Sequence, residues 1–122
     1  MRVAVFLAVL VAGCAGVAPD RAGAPASQNL AVAGLMESAR ADAGAGRLAN
    51  AAASLERALR IEPRNPRLWH ELARVRLQQG DYAQAESMAA RSNSWVGGDS
   101  RLQAENRRII AQARERAGRS ER

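Results

Sequence analysis

Few side chains in this sequence are equipped for covalent or acid–base chemistry. The 122-residue chain has one His, His70, and one Cys, Cys14. A shared metal or an activated nucleophile needs partner groups in reach, and His70 has no second His or Cys near it. A lone His on a helix is ordinarily a surface or rim residue. The Ser residues fall in expected loops and caps without a base partner, and no phosphate-cradling glycine loop is present. The chain therefore reads as a non-enzyme with no cofactor, no metal site and no small-molecule substrate. What its charged residues can do is bind. Glu37, Glu71 and Glu105 stand 34 residues apart, and so do Arg40, Arg74 and Arg108. Within each set Glu precedes Arg by three positions, which puts both on one face of a helix. A guanidinium fork grips a carboxylate or carbonyl through paired hydrogen bonds, so a row of three Arg can anchor a partner chain. The same rows can instead form a ladder of internal Glu–Arg pairs that only solubilises the face, each exposed pair contributing about 0.2–1 kcal/mol.

Rows at such a spacing need an element that repeats. Gly46-Arg47-Leu48-Ala49-Asn50-Ala51 has a counterpart in Gly80-Asp81-Tyr82-Ala83-Gln84-Ala85, again 34 residues on. Self-similarity at this period marks stacked helix–turn–helix units. The first predicted helix is Asn29 to Ala45. Leu30, Leu35 and Met36 are its larger apolar residues, Ala31, Ala39 and Ala43 fill between them, and Gly44 and Gly46 end it. Arg47 to Ile61 carries the clearest apolar stripe, Leu48, Ala51, Ala52, Leu55, Ala58 and Leu59. Asn65-Pro66 opens a third helix, with Leu68, Leu72, Val75 and Leu77 on its apolar side and Gly80 at its end. Asp81 with Gln84 resembles a capping box for a fourth helix that turns Tyr82, Ala85, Met88 and Ala89 inward. Ser92 to Asp99 reads as a loop punctuated by Gly97-Gly98, and Ser100 with Gln103 as the next cap. The last helix presents Leu102, Ile109 and Ala113, and it should cover the apolar face of the unit before it. Residues 118–122 read as a disordered tail.

This register resembles the tetratricopeptide repeat. The second unit matches the family's pattern at Trp69, Leu72, Gly80, Tyr82 and Ala85, and the first at Gly46, Leu48, Ala51, Leu55, Ala58 and Pro63. Unit one has Leu35 in place of the Trp. Unit two departs after Ala85: Ala89 replaces a large apolar residue, Ser92 the late Ala and Gly97 the closing Pro. A short second helix with a loose exit is expected there. The resemblance spans residues 32–117. It implies an all-α fold of two repeats and a capping helix over 30–117, and it implies protein binding. Carrying over the family's concave-face positions gives Met36, Glu37 and Arg40 from unit one. Unit two gives Arg67, His70, Glu71, Arg74 and Gln78, and the last helix adds Glu105 and Arg108. Trp69 stands at a family packing position in the core. Trp95, in the expected loop, is either tucked under the last helix or offered to a partner; the tucked position is the expectation.

The segment before the repeats reads as an address. Arg2 precedes an apolar run, Val3 to Ala12, too short to cross a bilayer as a finished helix. Val11-Ala12-Gly13-Cys14 resembles a bacterial lipobox. That implies a signal peptide over 1–13, lipidation of Cys14 and a protein tied to a membrane without spanning it. Ala15 follows where an inner-membrane lipoprotein carries Asp, which implies the outer membrane, facing the periplasm. Residues 14–29, rich in Ala, Gly and Pro, make a flexible tether that reaches roughly 50 Å when stretched. Positive residues outnumber acids by 18 to 12, all of them Arg, but they alternate with acids and form no basic block. With aromatics at only 3%, stacking on nucleic-acid bases or on sugars is not the mode of binding.

Within the repeats the run Leu55-Glu56-Arg57-Ala58-Leu59-Arg60-Ile61-Glu62-Pro63-Arg64-Asn65-Pro66-Arg67-Leu68-Trp69-His70-Glu71-Leu72-Ala73 resembles the tetratricopeptide-type lipoprotein activators of class A penicillin-binding proteins. That resemblance implies docking on a peptidoglycan synthase and allosteric stimulation of its glycan-polymerising or cross-linking activity. The alternative with the same scaffold is a structural adaptor in another outer-membrane machine, such as a pilus, secretion or outer-membrane assembly complex.

Overall fold

The computed structural model describes residues 29–122. The signal peptide expected over 1–13, Cys14 and the expected tether up to Gln28 lie outside the described residues. Five helices follow one another: α1 (Leu30–Gly44), α2 (Leu48–Ile61), α3 (Pro66–Gln78), α4 (Tyr82–Trp95) and α5 (Ser100–Ser120). No described helix is long and apolar enough to cross a membrane.

The 34-residue period holds down to individual hydrogen bonds. At the end of α1 the Gly46 amide donates to the Ala43 carbonyl and the Arg47 amide to the Asp42 carbonyl. At the end of α3 the Gly80 amide donates to Leu77 and the Asp81 amide to Arg76. These are two copies of one Schellman turn, and both glycines sit at φ 78°, a left-handed conformation that costs a residue with a Cβ. The turn folds each helix back on its partner, so α1 pairs with α2 and α3 with α4.

Packing follows the small residues. Val32 and Ala39 of α1, the α2 stripe and Leu68, Leu72 and Val75 of α3 form one buried cluster. Ala73 and Leu77, on the other flank of α3, join Ala85 and Ala89 of α4 and Ile109 and Ala113 of α5 in a second. Met88 touches both. Alanine at so many contacts lets the helix axes approach closely. Helix α5 covers the last repeat, as a capping helix must.

Four local expectations are corrected. Leu30 is 88% exposed, while Val32 is fully buried. The α1 stripe runs Val32, Leu35, Met36, Ala39 and Ala43, and two residues turn a helix by about 200°, so Leu30 points away from it. Helix α4 is not short. It runs 14 residues, the same as α2, because Ser92 is a buried helical residue whose hydroxyl donates to the Pro66 carbonyl at 2.8 Å. The cap of α5 is Asp99, one residue before Ser100: its Oδ1 accepts from the Leu102 amide at 3.0 Å. The chain after Gly118 stays helical to Ser120, where the Ser120 hydroxyl donates to the Arg116 carbonyl and Arg119 pairs with Glu115.

Candidate functional site

Helices α1, α3 and α5 carry the residues assigned to the concave face, and they bring most of that set together. Along α1 and α3 the Glu–Arg rows form a continuous chain. Arg40 reaches Glu37 at 2.9 Å within its own helix and Glu71 across the groove at 3.3 Å. Arg74 takes the other oxygen of Glu71 at 3.2 Å. Two acids and two guanidiniums thus neutralise one another, and this half of the groove is the self-satisfied ladder. It borders a cleft lined by Ala39, Ala43, Val75 and Gln78.

The third rung is not made. Glu105 is diverted to Arg101, one turn earlier on α5, at 3.2 Å, and its other oxygen lies 3.8 Å from His70 Nε2. Arg108 is left without an ion pair or hydrogen bond to any described residue. A cleft of about 480 Å³ opens here between α3 and α5. Leu77 and Ile109 form its apolar floor, and Gln78 and Gln112 its amide walls. Arg74, Arg108 and Arg116 stand around it against the single carboxylate of Glu105, three positive charges to one negative. The helical spacing of Arg108, Gln112 and Arg116 was visible in the sequence, but Gln112 and Arg116 lie outside the 34-residue rows and were missed.

His70 lines this cleft, but it is not a free groove residue. It is buried, and Nδ1 lies 2.8 Å from Asn106 Oδ1. The Asn106 amide nitrogen donates to Ser92 Oγ at 2.7 Å and to Asn93 Oδ1 at 2.9 Å. With both amide hydrogens committed, its oxygen must accept from His70, which assigns the proton to Nδ1. This buried chain, His70–Asn106–Ser92–Pro66, runs inward from the cleft and ties α3, α4 and α5 together. Sequence reasoning missed Asn106, although it lies four residues after Leu102 and three before Ile109 on the same stripe. A polar residue within an apolar stripe was the available signal.

Arg67 sits at the first turn of α3, 3.7 Å from Asp99, and lines neither cleft. Met36 is partly buried against the core. Trp69 packs on the core as expected, with Nε1 donating to the Pro63 carbonyl at 2.8 Å. Trp95 is not tucked under α5. It is the last residue of α4, 43% exposed, and the buried residue at this exit is Val96. The unbroken α4 carries Trp95 one turn past Arg91, onto the side of the α2–α3 turn, where Arg64 lies over its ring. On the outer flank Arg114 Nε donates to Glu86 at 2.8 Å, and this hydrogen bond and the nearby charge hold the Arg114 guanidinium above its ordinary pKa.

A family model described as tetratricopeptide repeat matches residues 42–104, just over half of the chain. The chain belongs to the tetratricopeptide repeat family. Among solved structures it is similar to the globular C-terminal domain of P. aeruginosa LpoP, at 48% identity and a TM-score of 0.72, over 75% of this chain and 87% of that one. No match is found among curated proteins. The comparisons bear out the repeat register and the resemblance to tetratricopeptide-type lipoproteins read from residues 55–73. A repeat scaffold of this family is a protein-interaction module, and its geometry here offers one neutralised and one open half-groove.

Proposed function

We propose that the chain is a lipoprotein anchored through Cys14 in the outer membrane, facing the periplasm. Its repeat domain docks on a class A penicillin-binding protein and raises that enzyme's peptidoglycan-synthesising activity. The observation that carries this reading is the 48% identity to the LpoP globular domain across three quarters of the chain. The resemblance of the Leu55 to Ala73 run to class A activators supports it, and so does an open half-groove suited to a protein surface.

The domain acts by binding alone. A partner that favours the active conformation of an enzyme shifts its population, and about 1.4 kcal/mol of preference gives a tenfold shift where the active state is rare. Arg108 and Arg116, free of internal acids, and Arg74 at the end of the ladder supply the directional contacts. The amide walls and the apolar floor supply the rest. A tether of about fifteen residues reaches roughly 50 Å, so the synthase must extend toward the outer membrane to meet the domain.

The test is photo-cross-linking in living cells from position 108, with mass spectrometry of the adduct. A class A penicillin-binding protein in the adduct is the expected result. A component of another envelope machine overturns the activator reading in favour of an adaptor.

A further inference from the structure

Away from the groove, four side chains make an aromatic–cationic rim. The Arg91 guanidinium lies 4.9 Å from the centre of the Trp69 ring, and that of Arg64 lies 5.2 Å from the Trp95 ring. The two stacks are neighbours. Arg91 and Trp95 are one turn apart on α4, and Trp69 Nε1 is bonded to Pro63, the residue before Arg64. Ile61, 45% exposed, ends α2 two residues before Pro63. None of these residues lines either cleft of the groove.

The guanidiniums in this rim are held but not used. A guanidinium held over an aromatic face by cation–π attraction keeps its N–H donors for another partner. Neither Arg64 nor Arg91 forms an ion pair or hydrogen bond with any described residue. Elsewhere in the molecule Arg40, Arg47, Arg76, Arg101, Arg114 and Arg119 are all paired with acids. Two unpaired guanidiniums beside an exposed indole and an exposed Ile present cationic donors and apolar area together, the composition that concentrates binding energy at protein interfaces.

We infer that this rim, formed by the α2–α3 turn and the end of α4, is a second docking surface. Its occupant is a partner-protein segment that carries carboxylates between apolar side chains. Charge complementarity selects acids, because the rim's unpaired charged donors, Arg64 and Arg91, are both guanidiniums. A guanidinium fork matches the paired oxygens of a carboxylate, which selects a directional protein partner over a diffuse anionic bilayer. The acids that border the rim, Glu62 beside Arg64 and Asp99 paired with Arg67, also punctuate it against a uniformly negative plane. This surface is independent of the groove and of the identity of the groove's partner.

The test uses the full-length chain in neutral detergent micelles and two synthetic probes, a repeating Glu-Ser-Leu peptide and its Gln-Ser-Leu counterpart. The chain's two Trp residues both belong to the rim, so intrinsic fluorescence reports occupancy directly. The Glu peptide should shift the emission and the Gln peptide should not. Arg64→Gln with Arg91→Gln should weaken the Glu peptide about tenfold, a loss of about 1.4 kcal/mol. Arg64→Lys with Arg91→Lys, which keeps the charge but loses the fork, should weaken it nearly as much. Arg108→Gln, in the groove, should leave it unchanged. No response to the Glu peptide overturns the proposal. So does a response abolished by Arg108→Gln but not by the rim variants. Binding to phosphatidylglycerol vesicles with indifference to the Glu peptide would make the rim a membrane-facing surface and equally overturn it.

Discussion

At the scale of residues, the buried amide of Asn106 decides more than any charged group in the rows. It is fully buried, and it satisfies His70, Ser92 and Asn93 at once. Asn106→Ala leaves a cavity and strands the His70 N–H and the acceptors on α4, and each stranded buried group costs about 1–3 kcal/mol. The substitution should lower unfolding stability by about 2–4 kcal/mol, read as a fall in the denaturant midpoint with an unchanged slope. Ser92→Ala is the sharper case, because it restores the small residue that the family pattern carries. Pattern alone expects it to be neutral or better. The structure expects a loss of about 1–2 kcal/mol, since Asn106 loses an acceptor and the Pro66 carbonyl a donor. This network was illegible for a physical reason. Periodicity reports which face of a helix is buried, but two polar residues on different helices show their pairing only once the helices are packed.

At the scale of elements, the sequence carried nearly everything, because the turns have one chemical solution. Gly46 and Gly80 share φ 78° and the same pair of Schellman hydrogen bonds. A Cβ placed on Gly46 meets nothing within 4 Å, and one on Gly80 only the Tyr82 hydroxyl at 4.0 Å. The cost of Gly→Ala is therefore backbone strain alone, about 1–2 kcal/mol at each site and equal at both, and the measured melting shifts should match. The apolar stripes of α2 and α3 were likewise legible, through 3.6-residue periodicity. What failed was the exit of unit two. Loss of the closing Pro and of the large apolar residue suggested a short α4 with a loose exit, yet α5 supplies the missing contacts from outside the repeat. Ile109 and Ala113 pack on Ala73, Leu77, Ala85 and Ala89. Deleting residues 99–122 strips that cover, and the remainder should lose its cooperative thermal transition while the intact domain keeps it.

At the scale of the whole molecule, the groove is electrostatically divided, and the division separates the two readings that the Glu–Arg rows allowed. Near α1 the ladder reading holds, because Glu37, Arg40, Glu71 and Arg74 consume one another. Near α5 the anchor reading is open, because Arg101 draws Glu105 away from Arg108. Sequence spacing could not distinguish these cases, since three Glu and three Arg at one period look alike until a competing Arg101 captures the third acid. The division predicts opposite behaviour for two double variants. Glu37→Gln with Arg40→Gln breaks the Glu37–Arg40 and Arg40–Glu71 pairs but leaves Glu71 held by Arg74, so stability should change by about 1 kcal/mol or less and partner capture should stay at the wild-type level. Arg108→Glu with Arg116→Glu breaks no internal ion pair of the described chain, so the fold should be unaffected. It reverses the field of the open cleft, so capture of the partner from position 112 by a photo-reactive side chain should fall by about tenfold or more, because close like-charge contacts cost several kcal/mol. The wild-type yield should also fall as salt rises, and the reversed variant should lose that dependence. If the α1 pair abolishes capture and the α5 pair does not, the docking face lies on α1, and the open cleft is not the site.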